Sequence, residues 1–228
     1  MGKNTTVMKK ILVTGADGGI GKAIVAGLQA HGHNAISSVH DTTDLTDPTA
    51  VQKLITQAGV FDWLVCAHGF IDTTYALQEQ SIDAIRHTFN VNTLSLFWLA
   101  QAVLPLLHKG GGIIILSSSA SMTPSEKYLA YAASKAAANA FVQGLAKSHS
   151  DYSFFSVAPG ATNTAMREKI ANDAAHMQSP SIVADLVIDL IEEKTEYQSG
   201  DVILLRDGRR SVASRVLTNP QDITMPNQ

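Results

Sequence analysis

Cysteine is nearly absent from this chain of 228 residues: Cys66 is the only one, so no internal disulfide can form. A fold that must stand on its core alone, in a reducing compartment such as the cytoplasm, fits that count. Aromatic residues make up 6% and charged residues 16%, and there is no basic block. With a formal net charge of −3, nucleic acid is excluded as the expected partner. Long apolar runs are missing too. The strongest stretch, Thr93 to Leu107, is interrupted by Ser95, Gln101 and Pro105. It falls short of the roughly 20 residues a membrane-spanning helix needs, so no membrane is expected. The first ten residues lack the apolar core of a signal peptide. Met1-Gly2-Lys3-Asn4-Thr5-Thr6 fits the N-myristoylation pattern, and the plainer reading is an arm, residues 1–9, ahead of the first strand.

What is present is alternation. Hydrophobic residues make up 45% of the chain, and short β-type runs take turns with helical patterns. Strands are predicted at Ile11–Val13, Asn34–Val39, Trp63–Cys66, Ile113–Leu116, Tyr152–Val157 and Val202–Leu205. Helices are predicted at Ile20–Ala30, from Asp47-Pro48 onward, at Ser81–Asn90, Asn92–His108, Ala130–Lys147 and Ser181–Glu193. Strand alternating with helix implies parallel strands joined by right-handed crossovers. The expected fold is a single-domain α/β protein, a Rossmann-type doubly wound parallel sheet over residues 10–208, with a tail at 209–228. Only His40 to Thr43 separates Val39 from Asp44-Leu45, which leaves no room for a crossover helix. A third strand there would be very short.

Thr14-Gly15-Ala16-Asp17-Gly18-Gly19-Ile20-Gly21 follows the first strand directly and opens the first helix. Glycines let backbone approach a pyrophosphate, and a helix N-terminus offers amide donors and a favourable dipole. A P-loop fails twice, because Ala16 stands where it needs glycine and Ala23 where it needs Ser or Thr. Tyr131 and Lys135 lie four apart at the start of a predicted helix and share a face. A free tyrosine has a pKa near 10, and a nearby ammonium lowers it, which suits proton exchange with a substrate oxygen. His31 and His33 lie two apart, with no third metal ligand evident nearby.

Together, Thr14-Gly15-x-x-x-Gly19-Ile20-Gly21 and Tyr131-Ala-Ala-Ser-Lys135 resemble the short-chain dehydrogenases/reductases. Ser118 and Asn92 match that family's catalytic serine and asparagine. Pro159-Gly160-Ala161-Thr162-Asn163-Thr164 matches its nicotinamide loop, and Asp44-Leu45 its adenine-contacting pair. Ser199 through Gly208 resembles its last strand and turn. The resemblance implies an NAD(P)-dependent oxidoreductase acting on a small carbonyl or alcohol. Tyr131 would exchange the proton, Ser118 would hydrogen-bond the substrate oxygen, and Lys135 would tune Tyr131 and hold the ribose. Asn92 would order a water joining Lys135 to solvent. Gly15, Asp17, Gly19, Ile20, Gly21, His40, Asp44, Leu45, Ala67, His68, Gly69, Pro159, Gly160, Thr162 and Thr164 would join Tyr131 and Lys135 in the cofactor site.

One segment departs from the pattern. Cys66-Ala67-His68-Gly69 stands where the family has Asn-Asn-Ala-Gly, so the asparagine hydrogen bonds are gone. His68 is open between ribose contact, pocket lining and a tolerated loop residue. Val39 occupies the usual carboxylate position of NAD enzymes, and His40 stands where NADP-preferring relatives carry arginine. The expectation leans to NADP(H) over NAD(H), with Asp41 a competing influence. The apolar helices Asn92–His108 and Ala130–Lys147 lead to an expected homodimer or homotetramer. Two rival functions remain. A non-catalytic dinucleotide-binding sensor or scaffold would have little reason to keep Asn92, Ser118, Tyr131 and Lys135 together. A sugar-nucleotide epimerase normally needs a C-terminal substrate region for which the chain has little room.

Overall fold

The apolar runs become central strands because both faces of the sheet are covered by helices, so these strands need no polar side. A computed structural model of the chain describes residues 7–74, 76–124, 127–170 and 177–215. Its strands are β1 Lys10–Thr14, β2 Asn34–Ser38, β3 Phe61–Cys66, β4 Leu107–Leu116, β5 Ser153–Pro159, β6 Val202–Arg206 and β7 Arg209–Ser214. They form one sheet in the order β2-β1-β3-β4-β5-β6-β7, parallel except for β7, which runs antiparallel to β6. The helices are α1 Gly19–Ala30, α2 Pro48–Ala58, α3 Ile82–Phe89, α4 Ser95–Val103, α5 Leu129–Ser148, α6 Ala165–Glu168 and α7 Pro180–Ile191. Ile24 and Leu28 of α1 pack with Val183, Val187 and Ile188 of α7 on one face of the sheet. Val51, Ile55, Leu99, Val103, Ala138 and Val142, from α2, α4 and α5, fill the other. The doubly wound α/β expectation holds.

Local chemistry sets the helix starts. Asp47 accepts the Thr49 amide at 2.8 Å, with Pro48 at the first helical position as predicted. Ser81 and Thr164 cap α3 and α6 in the same way.

Four expectations need correction. Asp44-Leu45 is not a strand. His40–Thr42 is a 3₁₀ turn, and Asp44 then accepts the Thr46 amide and hydroxyl at 2.8 and 2.7 Å, closing a loop that leaves β2 as the sheet edge. The predicted Asn92–His108 helix ends at Val103, because Pro105 sits in a 3₁₀ turn at Leu104–Leu106 and β4 has begun by Leu107. At its other end Asn90–Leu94 is a π turn joining α3 to α4. The supposed tail contributes β7, so the sheet extends past residue 208 to Ser214. Residues 1–6 and 216–228, including the myristoylation pattern, lie outside the described residues. The stretch Ile82–Leu106 is long and apolar enough to cross a membrane by length and composition, yet 44% of its most apolar 18-residue window is buried within the protein.

An ion pair between a buried carboxylate and a half-exposed guanidinium anchors β7. Asp201 is fully buried, and its carboxylate accepts from Arg215 Nε at 2.7 Å, Arg215 Nη2 at 2.8 Å and the Gln198 amide at 2.9 Å. Removing one partner of such a pair costs more than the pair contributes, because a buried charge is left uncompensated. Arg215→Ala should therefore lower the melting temperature by roughly 5 °C or more in a thermal melt. An unchanged melting temperature would show that water replaces the guanidinium without loss.

Candidate active site

The chain leaves β1 for one face of the sheet and β3 for the other, which opens a crevice at their carboxyl ends. Gly15 turns the chain at φ 66°, and a Cβ there would lie 2.6 Å from His68 Cα and N. Only glycine allows both the left-handed backbone and that approach. At Gly21 a Cβ would lie 2.0 Å from the Gly15 carbonyl oxygen, so Gly21 seats α1 on its own turn instead of lining the crevice. At Gly19 a Cβ would meet Thr164 Cγ2 at 2.8 Å, which brings the turn against the loop after β5. No side chain caps the N-terminus of α1, and no acidic residue lies in its first turn, so its dipole faces the crevice unopposed.

Three connected cavities form a trough along this edge. The first, about 800 Å³, is bounded by Gly15, Asp17, His40, Asp44, Leu45, Ala67 and His68. The second, about 310 Å³, shares Asp17 and Ala67–Gly69 with it and adds Gly19, Ile20, Lys135 and Thr164. The third, about 190 Å³, meets the second at Ile20, Tyr131 and Thr164 and is lined by Ser118, Pro159, Gly160 and Thr162. Every predicted site residue except Gly21 and Asn92 thus lines one continuous groove. Its length, its glycine floor and the helix N-terminus fit an extended dinucleotide.

Tyr131 lies where the second and third cavities meet. Burial pushes its pKa up, and a hydrogen bond with Ser118 works in the opposite direction. Lys135 is 4% exposed and donates to the Leu116 carbonyl at 2.8 Å, with Nζ 5.8 Å from the Tyr131 ring centroid. Burial lowers the Lys135 pKa to about 8. The expectation that Lys135 lowers the Tyr131 pKa is therefore not met in this arrangement: desolvation of the phenol dominates, and the opposing influence comes from Ser118.

Asn92 lies beneath the groove lining, inside the protein. It is 1% exposed, and its Nδ2 donates to the Phe70 carbonyl at 2.8 Å and to Ser134 Oγ at 3.0 Å. Its Oδ1 accepts the Phe70 amide at 2.7 Å. The side chain pins the loop after β3 to α5, and both of its amide hydrogens are spent there. Several groove residues carry no motif that would reveal them. Phe70 and His87, paired edge-to-face at 4.6 Å, line the first cavity, and Ile71 and Arg167 line the third. Tyr128 adopts a left-handed conformation, φ 62° and ψ 37°, immediately before α5 and lines the third cavity. Met166 and Ile170 also border that cavity.

The fold and groove define a dinucleotide-binding α/β protein with a tyrosine–lysine pair in the groove wall. The profile of the family described as short chain dehydrogenase matches residues 38–175. An uncharacterized oxidoreductase of Schizosaccharomyces pombe is 27% identical, over 96% of this chain and 95% of its own. Versicolorin reductase of Emericella nidulans is 32% identical, over 86% of this chain and 93% of its own. A short-chain dehydrogenase from Burkholderia cenocepacia, solved with NADP, superposes with TM-score 0.76 at 27% identity, covering 89% of this chain and 98% of its own. The chain belongs to the short-chain dehydrogenase family and is an NAD(P)-dependent oxidoreductase.

Proposed function

We propose that the chain interconverts a small, partly apolar ketone and its secondary alcohol, with Tyr131 as general acid and base. The observation that carries this reading is the placement of Tyr131, in one cavity lining with Ser118 and one helical turn from Lys135, where the small cavity meets the dinucleotide groove. The nicotinamide supplies or accepts the hydride when bound. The protein's part is to hold the substrate oxygen between Ser118 and Tyr131 and to exchange a proton at the Tyr131 hydroxyl. Lys135 places a charge beside the ribose position. Ile71, Met166 and Ile170 exclude water from one side of the cavity and favour an apolar substrate body. Versicolorin reductase and the benzil reductase of Saccharomyces cerevisiae, both relatives of this chain, are named as reductases, the latter as forming (S)-benzoin. The test is a panel of ketones and secondary alcohols with both cofactors, followed by nicotinamide absorbance.

For the cofactor we propose a preference for NADP(H), as the basic residue after β2 suggests. Val39 leaves no carboxylate at the end of β2, and His40 lines the groove with Ser38 and Thr42. A basic side chain at that place offers a 2′-phosphate a hydrogen-bond donor that NADH cannot use, so NADPH should bind more tightly than NADH. His40→Ala should weaken NADPH more than NADH in a fluorescence titration, and an unchanged ratio of the two would refute the role of His40.

We also propose a cytoplasmic homodimer or homotetramer built on α4 and α5. Leu94 and Phe97 are 42% and 44% exposed, and the Phe97 ring contacts Phe141 of α5 at 4.2 Å between centroids. Exposed aromatic surface at a helix pair marks an interface. Light scattering at micromolar concentration should show an oligomer that Phe97→Glu weakens. A wild-type monomer would contradict this.

A further inference from the structure

His68 occupies the segment that departs from the family pattern, and its ring nitrogens are both engaged. Nδ1 is 2.7 Å from Thr14 Oγ1, and Nε2 is 2.8 Å from Ser95 Oγ. Ser95 Oγ donates its one proton to the Val91 carbonyl at 2.7 Å, so toward His68 it must accept. Nε2 therefore carries the imidazole hydrogen, and Nδ1 accepts from the Thr14 hydroxyl. The Val65 carbonyl, a competing acceptor for the Thr14 proton, is more distant at 3.5 Å. Thr14, His68, Ser95 and the Val91 carbonyl thus form a chain of hydrogen bonds that runs one way through a single neutral tautomer. Burial first, and then the charge of Lys135, hold the imidazole pKa down to about 3, which keeps that tautomer at working pH.

A ring with both nitrogens spent has no polar atom left for a ribose. What it joins is the floor of the groove. Thr14 ends β1 and immediately precedes Gly15, whose backbone lies against His68. Gly69 follows His68, and a Cβ at Gly69 would lie 3.2 Å from Lys135 Nζ and 3.5 Å from Asn92 Oδ1. Ser95 opens α4 directly after the π turn that carries Asn92, and it is fully buried, outside the groove lining.

We propose that His68 is a positioning residue: as a neutral bridge between Thr14 and Ser95 it fixes the glycine turn relative to the Gly69–Lys135 wall, and so sets the fit of the dinucleotide without bonding to it through the ring. The inference rests on cofactor binding and is independent of the substrate and of the role of Tyr131. A clamp of this kind joins the glycine turn to the Gly69–Lys135 wall and offers no group to a 2′-phosphate, so it should serve NADH and NADPH alike.

The experiment measures dissociation constants for both cofactors by fluorescence in wild type, His68→Ala, Ser95→Ala and the double variant, with a thermal melt of each. Ser95→Ala should weaken NADPH and NADH equally, by about tenfold, although Ser95 does not reach the groove. The double variant should bind no more weakly than His68→Ala, because both break one chain. In wild type, imidazole ¹⁵N NMR should show the Nε2–H form of His68 with no titration between about pH 5.5 and 8. A lowered melting temperature with unchanged dissociation constants in Ser95→Ala would reduce the bridge to a stability element and overturn the proposal. So would weakening in His68→Ala alone, which would make His68 a direct ligand, or an Nδ1–H tautomer. Should His68→Ala fail to fold, Ser95→Ala and the NMR measurement decide the matter between them.

Discussion

Replacing Tyr131 by Phe should lower kcat by about 10³-fold while leaving the cofactor dissociation constants within a factor of about two. The change removes one oxygen and keeps the ring that walls the groove. Burial raises the Tyr131 pKa, so the phenol holds its proton at neutral pH, which is the form needed to protonate a carbonyl oxygen as it takes hydride. In the reverse direction Tyr131 must first lose that proton, so alcohol oxidation should accelerate as pH rises, whereas reduction should not. Steady-state kinetics in both directions, set beside cofactor titration, separate chemistry from binding. Turnover of the variant within a few-fold of wild type would remove Tyr131 from the reaction.

Lys135→Met should change activity and stability in opposite directions. The Lys135 pKa is lowered from an ordinary 10.5 to about 8 by burial. Between those two values the unfolded chain binds more protons than the folded one, so stability rises with pH through that window. Below about pH 8 the full cost of burying the ammonium is present, on the order of 3 kcal/mol. Methionine has similar length and no charge, and it leaves the Leu116 carbonyl without its donor, which costs about 1–3 kcal/mol. The net expectation is a variant as stable as wild type, or more stable by a few degrees, at pH 7. That advantage should vanish above about pH 10, where the wild-type lysine is neutral in both states. Turnover should fall at least 10²-fold, since no charge remains beside the ribose position and Tyr131. Marked destabilisation at pH 7 would show that the buried charge is better compensated than its surroundings suggest.

The parts of this account that were legible in the sequence are those whose partners lie close along the chain. The glycine turn sits between β1 and α1, Tyr131 and Lys135 are one helical turn apart, and Asp47-Pro48 marks its own helix. Elements whose causes lie elsewhere were not legible. The first part of β4, His108–Gly112, has no apolar alternation, yet a Cβ at Gly111 or Gly112 would lie 1.9 Å from the Asp62 or Ser153 carbonyl oxygen. That stretch is strand because glycine lets neighbouring backbone come close. The exposed β7 carries no pattern, since it exists through pairing with β6 and the Asp201–Arg215 bridge. The π turn at Asn90–Leu94 lies inside a continuous helical periodicity and is marked by the buried contacts of Asn92 and Thr93 with Ser134. His68 was visible as a departure, but its partners are 54 and 27 residues away, and only the fold brings them to the ring.

The central claim, that this groove delivers a hydride to a carbonyl carbon, is tested most directly by isotope transfer. Reduced nicotinamide cofactor carrying deuterium at C4 is incubated with wild type and each ketone of the panel, and the products are analysed by mass spectrometry and NMR. The account predicts an alcohol with one deuterium on the carbinol carbon, formed by wild type and lost in Tyr131→Phe. Tight cofactor binding with no deuterium in any product, across ketones that fill the cavity, would contradict it and leave a protein that only senses the dinucleotide.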